Sequence, residues 1–152
     1  MRILELFIDG ACSGNPGEAG IGVMIVERDK VIKNISQAIG SATNNIAEYT
    51  ALIYGLQEAL ILRADKIRVH TDSELLYNQI RGTYKIKNEN LKFLHLQVKH
   101  LLGGFKTIKM KLVPREENRK ADALATKAIK KEQAKMVAPM FTMGEESPSS
   151  EG

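Results

Sequence analysis

The sequence predicts an α/β fold in which a five-stranded mixed sheet, three strands antiparallel and two parallel, is flanked by helices. Three β-type segments come first, and strand and helix patterns then alternate to the end of the chain. The length, 152 residues, suits one domain with a core that needs no covalent staple.

Residues Ile3 to Ile8 are rich in β-branched and aromatic side chains and read as a central strand that delivers Asp9 at its C-terminal end. Gly20 to Glu27 and Val31 to Ile39 follow, joined around Asp29 and Lys30 as a hairpin, which makes an antiparallel meander. Asn45 or Asn44 caps a helix running to about Leu62, with an apolar face of Ala51, Leu52, Gly55, Leu56, Ala59 and Leu60. Lys66 to His70 is a short strand, and Thr71, Asp72 and Ser73 lead from it into a second helix through Leu75, Leu76 and Ile80.

Gly82 to Asn88 is polar and turn-rich. A third helix spans Glu89 to Leu102 with a stripe of Leu91, Leu94, Val98 and Leu101, stopped by Gly103 and Gly104. A fifth strand, Thr107 to Val113, leads through the charged loop Pro114 to Asn118 into a last helix, Arg119 to Met136. The domain is expected over residues 1–137. Residues 138–152, which hold the aperiodic string FTMGEESPSSEG, are expected to form a flexible tail.

Composition narrows the function classes. A hydrophobic share of 43% and a charged share of 26% are those of a globular domain. The single cysteine, Cys12, excludes an intrachain disulfide and the thiolate-rich zinc sites. With no signal-like or membrane-length apolar run, a cytoplasmic monomer with no membrane partner is expected. The net charge is +4, but Glu145, Glu146 and Glu151 lie beyond Pro139 in a stretch without lysine or arginine, so residues 1–138 hold 22 cations against 15 anions. That excess suits a polyanionic partner and suits plain solubility equally well.

Chemistry is concentrated in four carboxylates. Asp9 ends the first strand and Asp72 follows the fourth, so parallel pairing of those strands sets both at one edge of the sheet, where open α/β sheets bind ligands. Glu48 and Asp122 read as first-turn residues of the helices that follow the meander and the fifth strand. Singly, Asp9 also fits an Asx-turn, Asp72 a helix cap, and Glu48 and Asp122 simple first-turn charges. Together in one cleft they would repel and bind protons tightly unless a cation sat between them, and oxygen-only ligands select Mg2+ or Mn2+. Two such ions about 4 Å apart can activate water and stabilise the leaving 3′ oxygen of a phosphodiester. The glycine-rich string DGACSGNPG matches neither the P-loop nor the dinucleotide pattern, and it suits a plain turn as well as a phosphate or sugar contact.

DGACSGNPG, TNNIAEYTAL, HTDSELL and ENRKADALA, in that order, resemble the type 1 ribonuclease H family, endonucleases that cut the RNA strand of an RNA–DNA hybrid. The likeness covers about residues 1–137 and implies a ribonuclease H-like fold. It places Asp9, Glu48, Asp72 and Asp122 at the catalytic, metal-binding positions. Asp9 and Asp72 would share two Mg2+ ions, with Mn2+ an alternative, Glu48 would also help position the 2′-hydroxyl, and the products would carry a 3′-hydroxyl and a 5′-phosphate. Gly10, Ala11, Cys12, Asn15, Asn44 and Asn45 would contact the RNA strand, where only RNA offers the 2′-hydroxyl as donor and acceptor. Ser73 and Gln79 would assist from the next helix.

The chain departs from many relatives in two places. The loop PREENRKAD lacks the histidine that many carry before the last carboxylate, which leaves Arg115 and Glu117 as its candidates. There is no tryptophan-bearing basic protrusion, so phosphate contacts fall to Lys85, Lys87 and Lys92. A compact body could also admit double-stranded RNA. Lys127, Lys130, Lys131 and Lys135 read as solvated surface, and His95 and His100 as structural or surface residues. Metal exonucleases of the same general fold usually carry a carboxylate two residues after the first Asp, where this chain has Ala11, and integrases lack the TNN segment. A binding module that has lost catalysis is the remaining alternative, and the presence of all four acids weighs against it.

Overall fold

In the computed structural model, backbone is described for residues 1–150 and side chains for residues 1–136. The elements run β1 (Ile3–Cys12), β2 (Gly17–Glu27), β3 (Lys30–Ala42), α1 (Asn44–Ile61), β4 (Lys66–Thr71), α2 (Glu74–Ile80), α3 (Glu89–Leu102), β5 (Thr107–Leu112), a 3-10 turn (Arg115–Glu117) and α4 (Arg119–Ser150). The tail expected over 138–152 lies outside the residues described in full.

The sheet order is β3-β2-β1-β4-β5, with β1 in the centre. The meander is antiparallel, and β4 and β5 run parallel to β1, as expected. The alternation in β1 sends Leu4, Leu6 and Ile8 to the face covered by α1, where they meet Tyr49, Leu52 and Leu56 in the main core, all fully buried. Such side chains each contribute about 1.5–3 kcal/mol on burial. From Ala19 to Val26, β2 is buried without alternation because both of its faces are covered. On the second face α4 lies directly on the strand: a Cβ at Gly22 would overlap the carbonyl oxygen of Ala121, and one at Gly20 would stand 2.6 Å from that of Ala125.

Three expectations are corrected. β1 does not stop at Ile8 but runs to Cys12, because Asp9, Gly10, Ala11 and Cys12 pair with Gly22, Ile21, Gly20 and Ala19. Residues with little β-propensity are held in the strand by their neighbour. The cap of α1 is Thr43, whose hydroxyl accepts from the Ile46 N–H at 3.2 Å, rather than Asn44 or Asn45. Glu48 therefore sits in the second turn of α1, since the first turn holds no acidic residue.

Candidate active site

The site forms where two pairing patterns part. The parallel ladder of β1 with β4 ends at Phe7 and His70, while the antiparallel ladder of β1 with β2 continues to Cys12. Beyond Phe7 the β4 side of β1 is open, and Asp9 stands in that gap. Asp72 follows the end of β4. Ser73, not Asp72, caps α2, its hydroxyl accepting from the Leu76 N–H at 3.1 Å, so the cap does not draw on the Asp72 carboxylate.

Glu48 arrives from α1, and Gly10 lets it. A Cβ at Gly10 would overlap the backbone of Ala47, so only glycine allows the helix this close to the strand. The Gly10 N–H then donates to Glu48 Oε1 at 3.1 Å. The sequence reading gave Gly10 to the RNA strand, but its N–H is engaged by a carboxylate of the site itself.

Carboxylate oxygens of Asp9, Glu48 and Asp72 all lie within 4.8 Å of one another. Asp122, in the first turn of α4, lines the same cleft, though it is outside that tight group. Burial first, then the negative charges of Glu48, Asp72 and Asp122, push the Asp9 carboxyl up to about 9. Glu48 is pushed up to about 8, again by burial first and by Asp72 next, with the Gly10 hydrogen bond pulling the other way. An oxygen-only, crowded and desolvated donor set of this kind fits a hard divalent cation, and Asp9, Glu48 and Asp72, with Asp122 beside them, are the residues that would hold it.

The cleft encloses about 700 Å3 and is also lined by Gly10, Ala11, Cys12, Asn44, Glu74, Leu112, Val113, Pro114 and Arg115. Of the expected substrate contacts, Gly10, Ala11, Cys12 and Asn44 line it. Asn15 lies in the exposed β1–β2 turn, and its Oδ1 accepts from the Asn44 N–H at 2.9 Å, tying the turn to the start of α1. Asn45 is exposed outside the lining, and Lys85 and Lys87 sit on the exposed connection between α2 and α3. Gln79 is a correction: it is 4% exposed, and its amide accepts from the Tyr49 hydroxyl at 2.6 Å and donates to the Lys85 carbonyl at 3.3 Å, so it braces α1 against the connection after α2. Burial and the charge of Glu48 push the Cys12 thiol up. His70 stacks on Phe7 with ring centroids 4.1 Å apart and bonds Glu5 at 3.1 Å, outside the cleft.

Sequence reasoning missed Glu74 and Asn118. Glu74, inside the HTDSELL string but not singled out there, lines the cleft. Asn118 is 1% exposed; its Nδ2 donates to the Ile8 carbonyl at 2.8 Å and its own carbonyl accepts from the Asp122 N–H at 3.1 Å. It thereby joins the residue before Asp9 to Asp122 itself. A cap-forming residue directly before the helix start at Arg119 was the available signal.

A family model described as Reverse transcriptase-like matches residues 7–128. The chain is 39% identical over 149 residues to the bifunctional protein Rv2228c of Mycobacterium tuberculosis, covering 95% of this chain and 41% of that protein. It is 38% identical over 127 residues to ribonuclease HI of Halobacterium salinarum, covering 83% of this chain and 64% of that one. The chain thus spans less than two thirds of the length of these curated relatives. Among solved structures, RNase H1 of Halobacterium salinarum superposes with a TM-score of 0.83 at 36% identity, covering 85% of this chain and 98% of that one. LC11-RNase H1, solved in complex with an RNA/DNA hybrid, gives 0.81 at 36% identity, with 86% and 99% covered. With that superposition, the mixed sheet β3-β2-β1-β4-β5 and its flanking helices have the ribonuclease H-like fold. The chain belongs to the type 1 ribonuclease H family. Among the described residues no helix is long and apolar enough to cross a membrane.

Proposed function

We propose that this chain is an endonuclease that hydrolyses the RNA strand of RNA–DNA hybrids, acting as a monomer and leaving 3′-hydroxyl and 5′-phosphate ends. The observation that carries the reading is the meeting of Asp9, Glu48 and Asp72 within 4.8 Å at the open end of the sheet. Acids in that arrangement are costly without a cation and useful with one. Bound Mg2+ or Mn2+, two ions in this reading, supplies an activated water and charge stabilisation at the leaving 3′ oxygen. Asp9, Glu48, Asp72 and Asp122 would hold the metal, and it is through the metal that these carboxylates would draw in the scissile phosphate, which they would otherwise repel. Asn118 fixes the spacing of two of them, and the Gly10 N–H orients Glu48.

Ala11, Cys12 and Asn44 line the cleft beside the acids and suit the minor-groove side of an RNA strand. The hybrid bound by LC11-RNase H1 supports the same substrate class here. Arg115 lines the cleft in the loop that lacks a histidine and is the candidate to help product leave, whereas Glu117 lines a separate cavity with Phe7 and Met24.

Cleavage of an end-labelled hybrid with Mg2+, beside double-stranded RNA, single-stranded RNA and DNA, tests the reading. Hybrid cutting that disappears in Asp9→Asn is expected. Comparable cutting of double-stranded RNA would widen the substrate class, and no metal-dependent cutting of any substrate would leave a binding module.

A further inference from the structure

The outer face of α4 carries a feature that the hybrid-cutting reading does not use. Asp122, Ala123, Thr126, Lys127, Lys130, Lys131 and Ala134 line a groove of about 580 Å3. Its first residue also lines the carboxylate cleft, so the groove begins where the cleft ends. Residues 119–136 hold six cations, Arg119, Lys120, Lys127, Lys130, Lys131 and Lys135, against Asp122 and Glu132 alone. The three lysines of the groove are exposed, and none is bridged to a carboxylate among the described residues.

The order of charges along the helix has a direction. The acid lies at the start, the Thr126 hydroxyl comes one turn later, and the lysines follow over the next turns. Asp122 to Lys131 is nine residues, about 14 Å at 1.5 Å per residue. A fully stacked strand, at about 3.4 Å per nucleotide as in duplex DNA, would place about four nucleotides along that length, and a more extended unpaired strand fewer. Ala123 and Ala134 leave room for a backbone to lie close to the helix. The strand that reaches Asp122 is the strand being cut, so it is the one the groove can receive.

We propose that the groove of Lys127, Lys130 and Lys131 on α4 binds phosphates of the scissile RNA strand where it runs on from the catalytic cleft, as a subsite for RNA outside the paired region. The proposal rests on the hybrid-cutting reading and adds a second contact region to it. Lysines there act as point charges on phosphate, so the contact is indifferent to sequence and sensitive to salt.

The test compares two hybrids with the same paired region, one blunt and one with a ten-nucleotide single-stranded RNA extension on the cut strand, placed at either end in turn. KM is measured against salt for the wild type, for Lys127→Gln/Lys130→Gln/Lys131→Gln, and for Lys30→Gln/Lys66→Gln/Lys109→Gln, which removes equal charge from other surfaces. Far-UV circular dichroism confirms that all three are folded. The wild type should show a lower KM for one extended hybrid. The groove variant should lose that advantage, and its plot of log KM against log salt should be shallower by about 2, from three single-strand contacts at about 0.7 each. A fourfold rise in salt then raises its KM about 20-fold less than it raises that of the wild type. The control variant should keep the advantage and the steep slope.

An advantage that survives in the groove variant, or that is missing in the wild type although the blunt hybrid is cut, overturns the subsite and leaves the nuclease reading intact. A wild type that cuts no hybrid overturns both.

Discussion

The two ends of β1 handle charge in opposite ways. At its start, Arg2 donates through Nε to Glu27 at 2.9 Å and through Nη1 to the Leu62 carbonyl at 2.7 Å, while its backbone N–H donates to Asp65 at 2.7 Å. These opposite charges and hydrogen bonds hold the Glu27 and Asp65 carboxyls below their ordinary range. At the other end, Asp9, Glu48 and Asp72 share one small volume, and Asp9 and Glu48 are pushed far above that range. Both ends use carboxylates beside a glycine or a turn, so local sequence alone does not separate them. The difference is the partner: one end pairs its carboxylates within the chain, and the other gathers carboxylates alone, a set that could hold a cation from outside.

The largest expected effect comes from breaking the unbalanced end. Asp9→Asn should lower hybrid cleavage at least about a thousandfold, yet raise the melting midpoint of the metal-free protein at neutral pH, because folding no longer has to protonate a carboxyl that is ionised in the unfolded chain. A midpoint that falls would mean that the cluster is stabilising without metal. Gly10→Ala comes next: its Cβ overlaps α1, and overpacking of this kind costs about 1–3 kcal/mol. Because the displaced residues include Glu48, kcat should drop by more than the loss of folded protein explains, as read by activity normalised to circular dichroism. Asn118→Ala should lower kcat about tenfold by loosening the Asp9 to Asp122 spacing, a loss of roughly 1.4 kcal/mol in transition-state stabilisation. The smallest effect is at the paired end. Arg2→Ala should lower the melting midpoint by a few degrees and leave kcat alone, since exposed pairs contribute little and lie far from the cleft.

The same comparison gives a pH dependence of fixed sign. Asp9 and Glu48 bind protons more tightly in the folded chain than in the unfolded one, where carboxyls titrate near pH 4. Their contribution to stability is therefore complete below about pH 4 and is lost as pH rises through about 8 and 9. Thermal melts of the metal-free protein from pH 5 to 9 should show a falling midpoint, and saturating Mg2+ should flatten it. At the Arg2 end, the lowered carboxyls of Glu27 and Asp65 act in the other direction, losing their stabilisation only in acid.

The fold was legible because hydrophobic periodicity and turn signals agreed along the chain. α3 matches its expected bounds, and β4 and β5 match to within one residue. What misled was sequence whose role is set by a neighbour. Asp9 to Cys12 looks like a turn and is strand because β2 runs beside it. Thr43, Asn44 and Asn45 are all good caps, and only the backbone at Thr43, with φ −85° and ψ 165°, decides among them. All four acids were legible, but the tight group of three was not. Nor was the use of Gln79 as an internal brace, since a buried amide and an exposed one look alike in sequence. Asn118 shows the same limit, because the carbonyl it binds is 110 residues away.

The central claim is that the acids at the end of β1 form a divalent-metal site whose protons the metal displaces. Calorimetric titration of the metal-free protein with Mg2+, in two buffers of different ionisation enthalpy at pH 7 and again at pH 6, tests it most directly. The account predicts binding with release of protons, weaker at pH 6 and abolished in Asp9→Asn. Mg2+ that does not bind, or that binds equally at both pH values without releasing protons, would contradict it.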